Sequence, residues 1–139
     1  MKDPLKLAIK RISIYDSALP LLDFDSKDLR NRNLLVTFDQ EEAVDLNGVK
    51  REFIALITQM LFNPHYGIFR LRSKKTNRVT MNENVHIIHS PTEIRLSARI
   101  VALSIIYKCN ISIRLCPIFV KALFKYKITL EDVIQDVIF

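Results

Sequence analysis

The sequence has no tryptophan, two glycines and two cysteines in 139 residues. Its glycines, Gly48 and Gly67, are too far apart to form the glycine-rich loop that cradles a phosphate chain. Cys109 and Cys116 cannot make a disulfide framework and offer only two of the four ligands a structural zinc needs, so both are read as free thiols. No stretch supplies the roughly 20 apolar residues that span a bilayer. Phe53 to Phe69 is uncharged but contains Gln59, Asn63, Pro64 and His65, and the apolar run from Ile100 to Tyr107 stops at Lys108. The start, Met1-Lys2-Asp3-Pro4-Leu5-Lys6, leaves no continuous apolar segment for a secretory signal. The expectation is a cytoplasmic or nuclear protein without membrane contact, metal or cofactor.

What is present suits a packed structure: 49% of the residues are hydrophobic and 26% charged, which predicts one folded domain over residues 1–139. The formal charge of +6 is unevenly placed, with 9 basic and 10 acidic side chains in residues 1–52 but 12 basic and 5 acidic in residues 53–139. Arg70, Arg72, Lys74, Lys75 and Arg78 form the densest cluster, with no acid among them. An acidic partner or a phosphate backbone would be drawn to such a cluster, which makes a basic RNA- or polyanion-binding module the alternative function. The plainer reading is a hairpin tip: Phe69 and Leu71 alternate with Arg70 and Arg72, and Ser73 to Asn77 has loop composition. Nucleic acid is therefore not the expected partner.

From Leu5 to Leu22 the apolar residues recur mostly at three- and four-residue spacing, predicting an amphipathic helix that ends near Pro20. Asp23 to Asn33 is polar and reads as a connector, with Ser26 able to cap a short turn. Leu34, Val36 and Phe38 alternate as in a strand. Val49, Phe53, Leu56, Ile57, Met60 and Leu61 form a stripe on a second helix, capped by Asp45 or Asn47 and stopped by Asn63-Pro64. Gly67 supplies a turn before the strand Ile68 to Arg72, and Val79 and Met81 begin its return. Val85 to Ile88 reads as a further strand, which puts His86 and His89 on opposite faces. With Glu83 and Glu93 nearby they could suggest metal, but that placement argues against it.

Ser90-Pro91-Thr92-Glu93 has the spacing of a capping box with proline at the first helical position. The helix it opens runs through Ile94, Leu96, Ile100, Val101, Leu103, Ile105 and Ile106, and its second half is expected to be buried nearly all round. Pro117 opens another helix through Lys125. Thr129-Leu130-Glu131-Asp132 starts a last one, whose apolar face is Val133, Ile134, Val137, Ile138 and Phe139. Glu41, Glu42 and Asp45 are read as the acids expected before a helix N-terminus rather than as a catalytic carboxylate cluster. The fold class is α+β, predominantly α-helical, with short strands or a hairpin.

These residues resemble a known family. The segment from Leu34 to Phe53, with Phe38, Glu41-Glu42, Val44-Asp45, Gly48 and Arg51-Glu52-Phe53, resembles the signature of the HECT-type ubiquitin ligases. Phe62-Asn63-Pro64-His65-Tyr66-Gly67-Ile68-Phe69 is similar to the motif after the signature helix. Glu93 to Tyr107 resembles the family's long buried helix, Leu123 to Val133, with Ile128-Thr129-Leu130-Glu131-Asp132, its Thr-Leu-x-Asp segment, and Arg11 to Leu19 the helix before its strand. Gln40, Ala43 and Asn47 stand where the signature has glycine, as do Ala98 and Ala102 in the long helix. Gln40 and Ala43 fit only if their turn does not need positive φ.

The resemblance implies the first part of the family's N-terminal lobe. It also implies ubiquitin and a ubiquitin-conjugating enzyme as partners. The subdomain that docks the conjugating enzyme, and the C-terminal lobe whose Cys carries ubiquitin as a thioester, have no counterpart in these residues. In the family that Cys follows a Thr, whereas Cys109 lies in Lys108-Cys109-Asn110 and Cys116 in Leu115-Cys116-Pro117. No catalytic residue is therefore assigned. This chain alone is expected not to transfer ubiquitin, and to be a truncated or non-catalytic member if it is complete. A further ligase segment is the expected cover for the last apolar face. In some members the region matching Tyr66 holds a second ubiquitin non-covalently, which makes Tyr66 the candidate ubiquitin-binding residue. Packing of Tyr66 on the preceding helix is the other reading.

Overall fold

The computed structural model describes residues 2–138, apart from the side chains of Val137 and Ile138. The side chains of Val137 and Ile138, and the whole of Phe139, from the expected apolar face thus lie outside the described residues. In chain order the elements are β1 (Leu5–Ile9), α1 (Ile14–Ala18), α2 (Ser26–Asn31), β2 (Leu34–Phe38), α3 (Leu46–Leu61), β3 (Phe69–Ser73), β4 (Arg78–Met81), α4 (Val85–Ile88), α5 (Pro91–Ile106), β5 (Arg114–Leu115), α6 (Pro117–Leu123) and α7 (Leu130–Ile138). Short 3-10 turns at Arg11–Ser13 and Leu19–Leu22 flank α1. Helix dominates and the strands form two small sheets, as an α+β class requires. No helix among the described residues is long and apolar enough to cross a membrane. Contacts divide the chain into two compact units: one of residues 1–60 and 91–111, the other of residues 61–90 and 112–139.

In the first unit β1 pairs in parallel with β2, Leu5 opposite Leu34 and Ile9 opposite Phe38. This corrects the expected single helix from Leu5 to near Pro20. Leu5, Leu7 and Ile9 are buried while Lys6 and Ala8 are exposed, so period two holds over these five residues and the helix begins only at Ile14. Parallel strands need a crossover, which α1 and α2 provide. The expected connector Asp23–Asn33 in fact holds a helical turn and a half with Leu29 buried. Asp25, not Ser26, is its cap, accepting the Lys27 N–H at 2.7 Å.

α3 starts as its sequence suggests, Asp45 Oδ1 accepting the Asn47 N–H at 3.0 Å. Its inward face, Phe53, Ile54, Ile57 and Leu61, has no solvent exposure. A Cβ at Gly48 would sit 3.1 Å from Asp45 Oδ2, so glycine there leaves room for the capping carboxylate. Lys50 is only 4% exposed yet has no carboxylate against it among the described residues. Its ammonium donates to Asn33 Oδ1 at 2.9 Å and lies 3.8 Å over the Tyr107 ring, and burial lowers its pKa. The Tyr107 hydroxyl in turn accepts the Leu34 N–H at 2.9 Å, which ties the end of α5 to the first residue of β2.

α5 begins at Pro91 as expected and buries Leu96, Ser97, Ile100, Leu103 and Ser104. Its second half is not buried all round: Ile105 is 60% exposed, and Ala98, Ala102 and Ile106 also face outward. Ala98 and Ala102, both exposed, therefore meet no crowding.

Gln40 is different. Its φ is +61°, and it is the third residue of a turn closed by the Glu41 N–H on the Phe38 carbonyl at 3.2 Å. The turn does need positive φ, and a non-glycine residue holds it at a cost. Ala43 does not share that conformation. Gln40→Gly is expected to stabilise the protein by about 1 kcal/mol, the relief of left-handed strain exceeding glycine's added chain entropy. A urea melt with an unchanged or lower midpoint would contradict this.

In the second unit β3 and β4 form the expected antiparallel hairpin, Phe69 opposite Met81. β5, which the sequence did not suggest, adds in parallel to β4 through Val79 and Leu115. Phe62 stacks on Phe69 at 4.3 Å between ring centroids, and Phe119 of α6 meets Phe69 edge-on at 6.1 Å. Val85–Ile88 is one helical turn rather than a strand, with Val85 alone buried. α7 has the reciprocal cap that Thr129 and Asp132 foreshadow: Asp132 Oδ2 accepts from the Thr129 N–H at 2.8 Å, and Thr129 Oγ1 accepts the Asp132 N–H at 3.3 Å. Lys121 adds an ion pair at 2.7 Å, and these donors hold the Asp132 carboxyl at about 2.

Candidate functional site

Tyr66 lies in the bend between α3 and β3. Asn63 folds that bend, its side chain accepting the His65 N–H at 2.9 Å and its carbonyl the Tyr66 N–H at 2.9 Å. Gly67 follows with φ +97°, and its carbonyl accepts the Asn82 side-chain amide at 2.9 Å. The Tyr66 ring is half-buried and packs on the His89 ring, 4.7 Å between centroids. His89 Nε2 is 2.6 Å from the Tyr66 carbonyl, which can only accept, so that nitrogen carries the hydrogen.

Tyr66 thus packs on His89, beyond α4. A Cβ placed on Gly67 would come within 3.8 Å of Ile88, so Ile88 borders the same bend. Ile88 and its neighbour Ile87 are 59% and 73% exposed. A half-buried aromatic ring set against His89, with exposed Ile88 bordering the same bend, offers apolar groups that a protein partner could cover. Reading Val85–Ile88 as a strand hid this arrangement. The cue available in the sequence was the brevity of the run, four residues between Asn84 and His89-Ser90-Pro91.

The basic cluster is less free than its sequence implies. Arg70 makes a bidentate pair with Glu83, and Arg72 Nε bonds Asp136 Oδ2 at 2.9 Å. Two of the five cations are neutralised, leaving Lys74, Lys75 and Arg78 exposed at and beside the hairpin tip. That weakens the polyanion-binding alternative.

The other expected groups fall outside any joint site. Glu41 pairs with Arg11 at 2.6 Å, and the Arg11 guanidinium, which also reaches Glu52 at 2.9 Å, holds the Glu41 carboxyl below its usual range. Both cysteines are free thiols. Cys116 is buried, and burial raises its pKa, the opposite of what a nucleophilic thiol needs. Cys109 is half-buried, its thiol 3.7 Å from the Tyr107 carbonyl. His86 is exposed while His89 is spent on Tyr66.

Residues 55–137 match the family model described as HECT-domain (ubiquitin-transferase). The chain is 33% identical to human E3 ubiquitin-protein ligase HECW2 over 130 residues, covering 92% of this chain and 8% of that protein. It is 28% identical over 134 residues to E3 ubiquitin-protein ligase hecw-1 of Caenorhabditis elegans, covering 94% of this chain and 11% of the relative. With E3 ubiquitin-protein ligase RSP5 of Saccharomyces cerevisiae it shares 28% identity over 134 residues, 94% of this chain and 16% of the relative. The chain thus spans a small fraction of these proteins' length. With more than half of its residues matched by the family model, the chain belongs to the HECT-domain family of ubiquitin transferases.

Proposed function

We propose that the chain serves as a non-catalytic segment of a HECT ligase, working in the cytoplasm or nucleus, that presents a non-covalent ubiquitin contact at Tyr66. The observation that carries this reading is the Tyr66 ring, half-exposed and fixed against His89, in a bend bordered by Ile88. An anchor whose orientation is already set loses little entropy on binding. Thioester transfer belongs to sequence outside these residues, because a buried thiol and a half-buried one in structural surroundings are the cysteines present. The conjugating enzyme would act on the assembled ligase. A further ligase segment is the natural cover for the exposed Leu123, Phe124, Tyr126, Leu130, Val133 and Ile134 in and around α6 and α7.

The test is a titration of 15N-labelled ubiquitin with this chain. Saturable shifts on one face of ubiquitin are expected, with Tyr66→Ala weakening the affinity about tenfold, as loss of an aromatic anchor does. In parallel, a charged conjugating enzyme mixed with the chain should yield no reductant-sensitive ubiquitin adduct. Binding unaffected by Tyr66→Ala would refute the contact, and an adduct lost in Cys109→Ala or Cys116→Ala would refute the non-catalytic role.

A further inference from the structure

A second surface stands apart from Tyr66 and does not depend on the reading above. Between α2 and α5, within the first unit, lies an open groove of about 490 Å3. Its apolar lining comes from both helices: buried Leu29 and Leu103, with exposed Ala102, Ile105 and Ile106. Ala98, Ala102 and Ile105 follow one another at four- and three-residue spacing, so the exposed strip continues along one face of α5 for about two turns. A lone isoleucine in solvent is ordinary, whereas a concave apolar strip is the form that a partner's side chains fill.

The charges at this groove have one sign. Arg30 and Arg99 line it, and no carboxylate does. Arg99 donates to the Phe24 carbonyl at 2.7 Å, which fixes its guanidinium and leaves further donors over. Neither arginine has an ion pair among the described residues. The acids on and beside α2 are engaged elsewhere: Asp25 caps the helix at the Lys27 N–H, and Asp28 pairs with Lys2 at 3.6 Å and Arg32 at 3.2 Å. Two-fold packing of α5 on the α5 of a second copy would set these arginines against their own counterparts, a like-charge juxtaposition that costs affinity.

We propose that the α2–α5 groove docks an acidic amphipathic helix of another protein, its apolar stripe laid along Ala98, Ala102 and Ile105 and its flanking carboxylates on Arg30 and Arg99. The two alanines let the incoming helix approach α5 closely, and Ile105 and Ile106 flank the side chains that enter over Leu29 and Leu103. Arginine suits the rim because its guanidinium holds a carboxylate through two parallel N–H donors.

The probe is a synthetic peptide of about 18 residues, long enough to hold some helix alone, with leucine at three- and four-residue spacing, glutamate beside that stripe and alanine elsewhere. A second peptide carries lysine in place of each glutamate. Titrated into the 15N-labelled 139-residue chain, the glutamate peptide should give saturable shifts of the Leu29, Ala102 and Ile105 amides, and the lysine peptide should bind about tenfold more weakly. Ile105→Glu changes an exposed position and should leave the thermal melt alone while weakening the glutamate peptide about tenfold. Arg30→Glu should cost about threefold and narrow the difference between the two peptides. Tyr66→Ala should change neither affinity, which separates this groove from the ubiquitin contact. No saturation by about 1 mM, equal affinity for the two peptides, or indifference to Ile105→Glu would each overturn the proposal. So would a dimer in sedimentation velocity that Ile105→Glu dissolves, which would assign the groove to a second copy.

Discussion

Phe53→Ala is expected to lower stability by about 3–5 kcal/mol, a large share of a domain's whole margin of order 5–15 kcal/mol. Phe53 lies on the inward face of α3 with no solvent exposure, one residue from Ile54 and one helical turn from Ile57, both also fully buried. Removing the ring leaves a cavity that neighbours in the middle of a 16-residue helix cannot close by shifting. Urea unfolding followed by circular dichroism measures it. Phe124→Ala serves as the control: Phe124 is 59% exposed, and its loss should fall within about 0.5 kcal/mol. If the two variants melted alike, α3 would not carry the core that its pattern of burial describes.

Gly67→Ala should cost about 2 kcal/mol and also disturb the Tyr66 bend. At φ +97° a side chain strains the backbone, and the new Cβ would stand 3.3 Å from His89 Nε2, the atom that bonds the Tyr66 carbonyl. Ubiquitin affinity should fall along with stability, since the ring loses the support that orients it. Gly48→Ala makes the contrast. Its Cβ would meet the end of the flexible Asp45 side chain, with no positive φ, so the penalty should be much smaller. Equal effects of the two substitutions would mean that crowding, and not the left-handed bend, explains why glycine stands at 67.

Where elements carried their own signals, the sequence was enough. Asp45, Pro91 and the Thr129–Asp132 pair mark helix starts that the structure places within a residue, because caps act over three or four positions. The hairpin was legible from alternation at Phe69–Arg72 and from its polar tip. Elements decided by distant partners were not legible. Leu5, Leu7 and Ile9 alternate for too short a span to outweigh the helical spacing that follows, and what makes them a strand is β2, 29 residues away in the register. The acids that quench Arg70 and Arg72 lie 13 and 64 residues further along. The expected burial of Ile105 and Ile106 failed because a continuous apolar run says nothing of how many sides will be covered. The candidate site divides the same way: Tyr66 came from the motif Asn63-Pro64-His65-Tyr66-Gly67, while His89 and Ile88 could be joined to it only by tertiary structure.

The interleaving of the two units has a kinetic meaning. Residues 61–90 are inserted between the two stretches that build the first unit, and residues 91–111 separate the two stretches that build the second. On a ribosome, β1 and β2 would emerge well before α5 and the Tyr107 that follows it, whose hydroxyl bonds the first backbone amide of β2, and the hairpin would wait for β5 and α7. Neither unit is a contiguous piece of chain, so no single proteolytic nick releases two foldable halves. Closure of such non-local contacts is what slows folding, and it makes 139 residues mature late and together rather than in order.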